Sequence, residues 1–146
     1  MTRHSRVFLA ALLCLLALAG CTAGAGFDAG EISKAQRIVV ADAGGTERAV
    51  LTEEADIDAF VEAMDVDHWR MAELPENLTR SGSFTLWQTE TVTVLAGGEE
   101  PKALEICTFQ CYEDGSYLTA ETGLAGISLS FSIPRTAAEY LRSYWQ

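Results

Sequence analysis

The residues best suited to bind a metal ion form the run Asp65-Val66-Asp67-His68. Two carboxylates and an imidazole within four residues could together hold a divalent cation. The run lacks the glycine and the distal glutamate of an EF-hand loop. It also follows a predicted helix directly, where such a run is more often a solvated C-terminal turn. Asp65, Asp67 and His68 are therefore weak metal candidates, and we expect neither a resident metal nor a cofactor.

The sequence contains no arrangement of residues typical of a catalytic site. His68 is the only histidine beyond the leading segment, which excludes a three-histidine zinc site. A Ser-His-Asp triad would need His68, and no G-x-S-x-G nucleophile elbow is present. Phosphate-binding glycine loops of the G-x-x-x-x-G-K and G-x-G-x-x-G types are also missing. With 21 acidic residues, some pair of carboxylates could always be proposed, so we assign no catalytic residue.

Two cysteines, Cys107 and Cys111, lie in the predicted strand EICTFQCY. Outside the cytoplasm such a pair can form a disulfide. On a straight strand, residues i and i+4 are ~13 Å apart at ~3.3 Å per residue, whereas a bridge needs Cα atoms within ~7 Å. A disulfide would therefore require the chain to bulge or turn between them. The alternative is two free thiols buried on one strand face, and a zinc site is the weakest of the three because too few ligands are nearby.

Trp87 is the aromatic residue best placed for a binding surface. In the predicted strand SFTLWQ, Phe84 and Leu86 share one face, and Trp87 shares the other with Ser83 and Thr85. A tryptophan on the polar face of a strand can mark a ligand or partner surface. The alternative is that a helix or the end of the chain covers it.

The leading segment determines where the protein is expected to lie. Arg3 and Arg6 precede an uncharged run over residues 7–20, which is shorter than the ~20 residues of a membrane span. This pattern is typical of a secretory signal. Its end, Leu18-Ala19-Gly20-Cys21, resembles the bacterial lipobox. An ordinary cleaved signal with a chance cysteine, or an uncleaved anchor, is the alternative.

The lipobox resemblance implies cleavage between Gly20 and Cys21 and a diacylglyceryl group on the Cys21 thiol. One acyl chain gives marginal membrane binding, whereas two give stable attachment. The resemblance therefore predicts a lipid-anchored extracytoplasmic protein whose membrane contact is the lipid on Cys21. In layout the chain also resembles small lipoproteins of Gram-positive bacteria, and that likeness implies no activity.

Composition predicts a single acidic domain after removal of the signal. The processed chain carries a formal charge of −13, because two of the ten lysines and arginines, but none of the 21 acids, lie in residues 1–20. Such a surface repels the phosphates of DNA and RNA, so we expect no nucleic-acid partner. It could attract cationic peptides, although charge of this kind usually serves solubility.

The pattern along the chain predicts a signal peptide over residues 1–20, a flexible glycine-rich tether over 21–33, and one globular domain over 34–146. The domain begins with a hairpin turning at Gly44-Gly45 and continues with a helix whose apolar stripe holds Ile57, Phe60, Val61 and Met64. Strands are predicted near 69–73, then at 83–88, 90–97, 103–112 and 126–133, followed by a helix after Pro134. The predicted fold is α+β, an antiparallel sheet of about five to seven strands with two helices packed on one face.

Two functions from different classes fit this sequence. The first is a non-catalytic binding or accessory domain, held outside the membrane to bind a protein, peptide or wall component. The second is a small cell-surface hydrolase that uses carboxylates or His68. The small size, the tether and the lack of a catalytic arrangement favour the first.

Overall fold

The computed structural model describes residues 29–90, 100–123 and 126–146, and within them the predicted α+β fold is confirmed. The helices are α1 (Ala29–Ile32), α2 (Glu54–Met64) and α3 (Arg135–Arg142), with a 3₁₀ turn at Val66–His68. The strands are β1 (Arg37–Asp42), β2 (Glu47–Leu51), β3 (Arg70–Met71), β4 (Arg80–Thr89), β5 (Ala103–Tyr112), β6 (Tyr117–Thr122) and β7 (Ser128–Ser132). They form one antiparallel sheet in the order β2-β1-β4-β5-β6-β7-β3.

The first hairpin has the register that its apolar residues predict. Ile38 pairs with Leu51, and Val39 pairs with Val50. The register shifts between Val40 and Ala41, so Glu47 lies opposite Ala41 and not opposite Asp42, as a regular ladder would have placed it. The shift therefore avoids the like-charge pair of Asp42 and Glu47 that an unbroken ladder from Ile38 and Leu51 would produce.

The core lies between one face of the sheet and the helices. Alternate residues of the central strands are fully buried on that face, among them Ile38, Phe84 and Phe109. Helix α2 covers them with the predicted stripe, in which Ile57, Phe60 and Met64 are buried and Val61 is half-buried. Thr52 comes just before two glutamates and would suit an N-cap, but the N-cap position is Glu53, which makes no side-chain cap bond.

The folded domain begins earlier than the predicted boundary at residue 34. Ile32, the last residue of α1, is completely buried and belongs to the main core. The tether over 21–33 is therefore too long at its C-terminal end. Composition misplaced this boundary because glycine and alanine dominate the stretch, although Ile32 and the partly buried Ala29 pack against the core.

The end of the chain packs back onto the sheet. After α3, the rings of Tyr144 and Trp145 meet the edge of Phe84, with centroid distances of 5.4 and 5.1 Å. The Trp145 indole N–H donates to the carbonyl of Ala41, 3.3 Å away. These contacts close the inner face at the end of the sheet where β1 finishes.

Two parts of the predicted sheet differ from the structure or lie outside the residues that it describes. Apart from Glu90, the strand predicted over 90–97 lies outside the described residues. The alternation of apolar and serine residues from Ile127 to Ile133 would place Ile127 in the core, but it is 51% exposed because β7 starts only at Ser128. In the described part of the chain, no helix has both the length and the apolar content needed to span a membrane.

Candidate binding cleft

A cleft of about 860 Å³ opens at the end of the sheet where β1 finishes and β4 begins. Four parts of the chain form it: the β1–β2 turn, the start of β4, the β5–β6 turn and the segment from α3 to the chain's last residues. Its floor is apolar, since the buried side chains of Cys111, Ala138 and Leu141 reach it. Because two turns and a helix end meet here, this end of the domain is concave.

Four aromatic residues are among those that line the cleft. Tyr112, Tyr117, Tyr144 and Trp145 all line it, and each is half-buried. The Tyr112 hydroxyl is hydrogen-bonded to Thr119, 3.0 Å away, and the Tyr144 hydroxyl to Tyr140 at the same distance. Two of the four rings are thus fixed by their hydroxyls as well as by packing, which limits the conformational cost of binding against them.

Three arginines surround the cleft, and each is held differently. Arg48 forms a two-point contact with the Asp42 carboxylate, through its Nε at 3.0 Å and its Nη2 at 2.9 Å. The guanidinium of Arg142 donates to the carbonyl of Asp114 at 3.2 Å. Arg80 is exposed, and its side chain has no hydrogen-bond or ion-pair partner among the described residues.

The two turns that carry the cleft are well defined. In the β1–β2 turn, Asp42 accepts backbone N–H bonds from Gly44 and Thr46 in addition to the Arg48 contact. These donors lower the pKa of the Asp42 carboxyl, with the Thr46 N–H as the largest cause. In the β5–β6 turn, Gly115 has φ +75°, and a side chain there would collide with the Arg142 guanidinium. Only a glycine allows Arg142 to lie against this turn.

A second cleft, of about 590 Å³, lies at the opposite end of the sheet. Its wall is polar, with Ser33, Lys34 and Gln36 on one side and Gln88 and Thr89 on the other. It has no aromatic side chain in its lining and only one cation, Lys34. The first cleft is therefore the better candidate for a ligand-binding site.

Trp87 lies on the outer face of the sheet, away from both clefts. It is half-buried and shares that face with Ser83 and Thr85, as its position in the strand predicts. The helices and the end of the chain pack on the other face, against Phe84. Neither therefore covers Trp87, and its role as a ligand surface stays a prediction.

The outer face of the sheet, on which Trp87 lies, carries hydroxyl groups that are hydrogen-bonded to one another across several strands. Thr119 is hydrogen-bonded to Ser130 at 3.1 Å and to Tyr112 at 3.0 Å, and Thr108 donates to Thr85 at 3.0 Å. These bonds satisfy the hydroxyls within the sheet. These five side chains are thus bonded to one another across the strands of the outer face.

The run from Asp65 to His68 forms the end of α2 and the turn after it. Asp65 has a left-handed backbone, and its carboxylate accepts a bond of 2.6 Å from Nδ1 of His68. This hydrogen bond is the largest cause of a raised His68 pKa. Within the described ranges, no group of three or more His, Cys, Asp or Glu side chains is arranged to hold a metal, so the metal hypothesis for Asp65, Asp67 and His68 gains no support.

Cys107 and Cys111 are free and buried, so the disulfide is absent and the alternative of two free thiols holds. The physical reason is the straight ladder, since the residues from Cys107 to Cys111 pair in unbroken register with Leu86 to Gly82. No bulge brings the two Cα atoms into bridging distance. Burial raises the pKa of each thiol to about 12, which keeps both protonated at neutral pH.

Comparison with known proteins identifies no family. Neither a family model nor a curated protein matches this sequence. Among solved structures, a thioesterase-like protein from Clostridium sporogenes is similar with a TM-score of 0.40 and 12% identity, over 78% of this chain and 96% of that one. A likeness at this level carries no argument about fold, activity or ligand.

Proposed function

We propose that this chain is an extracytoplasmic binding domain, held to the membrane by a diacylglyceryl group on Cys21, whose ligand occupies the aromatic and arginine-lined cleft. The observation that carries the proposal is the cleft itself. Its volume of about 860 Å³ lies within the range of about 300–1,000 Å³ typical of small-molecule sites. Its apolar floor is also typical of such sites, whereas its three arginines and two acidic side chains make its wall strongly polar.

The lining favours binding over turnover. It holds three arginines, and one of its two carboxylates, Asp42, is already neutralised by Arg48. His68 lies outside the lining, where its ring is bonded to Asp65. The chemistry of the cleft is thus that of fixed donors and rings, which suits recognition.

The position of the cleft fits a membrane anchor at the N-terminus. The first described residues lead into the start of β1, next to the second cleft, whereas the binding cleft lies at the other end of the strands. Strand β4 runs from Arg80 in one lining to Thr89 in the other. At ~3.3 Å per residue this separates the two ends by ~30 Å. A lipid on Cys21 would then leave the binding cleft facing away from the bilayer.

The anchor is tested by fractionating cells that express one of two variants, each with one cysteine replaced by alanine. Cys21→Ala should release the protein or leave it unprocessed, because the acyl chains would have no attachment point. Cys14→Ala is the matched control and should fractionate like the wild type. Recovery of Cys21→Ala in the membrane with its lipid intact would show that the anchoring proposal is wrong.

The cleft is tested by NMR on the purified protein titrated with wall-derived muropeptides and short peptides. The indole N–H signals of Trp145 and Trp87 report on the cleft and on the outer face respectively, and Phe substitutions assign them. We expect ligands to shift Trp145 and to leave Trp87 unchanged. Ligands that shift Trp87 alone would place the binding surface on the sheet and refute the cleft.

A further inference from the structure

We infer that the cleft takes a ligand bearing a carboxylate or phosphate group, which Arg80 and Arg142 bind. The inference rests on the proposed function and gives its ligand a chemical class. The charge is distributed unevenly, because the processed chain is strongly acidic whereas this cleft is not. Three of the eight lysines and arginines in residues 29–146 line it, against two of the chain's 21 acids, Asp42 and Glu113.

The three arginines differ in what they can still bind. A guanidinium has five N–H donors in a planar fork that fits two oxygens of a carboxylate or phosphate. Arg48 already directs its fork at Asp42. Arg142 uses one donor on the Asp114 carbonyl, and the side chain of Arg80 uses none within the described residues. The positive charge available to a ligand is therefore that of Arg80 and Arg142.

Arg142 is positioned before any ligand arrives. It lies against Gly115, where a Cβ would meet the guanidinium as it is now placed, and is bonded to the same turn through Asp114. An arginine that is already oriented loses less side-chain entropy when it binds an anion. Arg142 thus supplies an oriented donor, whereas Arg80, at the first position of β4, supplies one that is not tied to a partner among the described residues.

A ring of the cleft wall accompanies the free arginine. Arg80 pairs directly across the sheet with Tyr112, whose hydroxyl is anchored to Thr119. Tyr117 and Tyr144 are also among the residues that line the cleft. A ligand with an oxyanion at one end and a ring or apolar group at the other would match both parts of this wall.

The experiment titrates the full lipidated protein, in a non-ionic detergent, with four probes. Benzoate and phenyl phosphate carry the two oxyanions on the same ring, benzamide is a neutral analogue of benzoate, and inorganic phosphate lacks the ring. Binding is followed through the Trp145 indole N–H and the arginine Nε–H signals. We expect at least one ring-bearing anion to bind in the cleft, and benzamide to bind at least about tenfold more weakly than benzoate if the ligand is a carboxylate. Preference between the two anions distinguishes a carboxylate ligand from a phosphate one.

Arg80→Gln tests the residue that carries the inference. Loss of a charged hydrogen-bond donor should weaken binding of the preferred anion about tenfold or more. Arg37→Gln is the matched control, because Arg37 is also exposed and carries the same charge but lies at the opposite end of β1. It should bind like the wild type, and a melting curve of each variant checks folding.

The outcomes separate this inference from the proposed function. Equal binding of benzamide and both anions in the cleft, or wild-type anion binding by Arg80→Gln, would overturn the oxyanion inference and leave the cleft as a binding site. If no probe and no muropeptide or peptide shifts Trp145, the cleft proposal fails with it. Tighter binding of phenyl phosphate than of inorganic phosphate would support the role of the rings.

Discussion

Replacing Gly82 by alanine tests how the end of the chain closes the domain. Gly82 is buried on the inner face of β4, directly beneath the Trp145 ring. A Cβ atom at Gly82 would meet two carbons of that ring and the backbone carbonyl of Ala41 at distances that real Cβ atoms do not adopt. The methyl group would therefore force Trp145, β1 or both to move.

The expected cost follows from two opposing effects. Forcing an extra methyl group into a packed site costs about 1–3 kcal/mol. Alanine restricts the unfolded chain relative to glycine, which returns about 0.4–1 kcal/mol. We expect Gly82→Ala to lower the free energy of unfolding by about 1–2 kcal/mol. For a domain of this size, that is a fall in Tm of roughly 3–10 °C.

A double-mutant cycle with Trp145→Ala identifies the source of the cost. Removing the indole relieves the contact with the ring but leaves the contact with the Ala41 carbonyl. Urea unfolding followed by far-UV circular dichroism should show Gly82→Ala costing about 1 kcal/mol less in the Trp145→Ala background. Gly44→Ala is the matched control, because a Cβ there meets only the Asp42 carboxylate, at an ordinary 3.4 Å. It should lose no stability and should gain up to about 1 kcal/mol, because only the effect on the unfolded chain remains.

Two results would refute this reasoning. If Gly82→Ala were as stable as the wild type, the close packing of the chain's end on β4 would be wrong. If its cost were the same with and without the indole, the Ala41 carbonyl alone would cause the strain. In that case Trp145 would not be packed on Gly82.

Three further outcomes are expected. Ile32→Ala should lower the free energy of unfolding by about 2–5 kcal/mol, because the side chain is fully buried, whereas a tether residue would leave urea unfolding unchanged. Cys107 and Cys111, each with a pKa raised to about 12, should resist a thiol reagent at pH 8 until the protein is denatured, and rapid reaction would contradict their burial. The His68 pKa, raised by Asp65, should fall in Asp65→Asn when followed by NMR. Because the pKa of His68 is raised in the folded state, the stabilisation by this pair is complete below about pH 6.5 and is lost as the pH rises through the folded pKa. An unchanged His68 titration in Asp65→Asn would exclude the pair.

Local periodicity was enough to predict much of the sheet. In the first hairpin, pairing Val39 with Val50 and Ile38 with Leu51 places the apolar side chains in compatible positions, and the structure has the same register. A slip of one residue would reverse both faces, so the apolar pattern constrains the pairing strongly. The shift beyond Val40 was not predictable in this way, because it depends on the bonds that Asp42 makes to the turn.

The packing of α1 shows a different limit. Ile32 lies in a stretch whose small and polar residues are typical of a linker, and a single isoleucine gives no periodic signal. Its burial depends on the sheet that it packs against, which no window of neighbouring residues contains. The predicted tether was therefore wrong at Ile32, whose environment is tertiary.

The cleft could not be predicted from the sequence, because its arginines are ordinary residues until the fold brings them together. Arg48, Arg80 and Arg142 are separated by tens of residues, and each alone is typical of a solvated surface. Two glycines are the features of the sequence that point toward this cleft: Gly115 in an Asp-Gly turn, and Gly82 within a stretch that otherwise favours a β-strand. Both now have a steric reason, since one accommodates the Arg142 guanidinium and the other the Trp145 ring. A glycine that interrupts a strand or ends a turn is thus a sign of close approach by another group, and here both such groups line the same cleft.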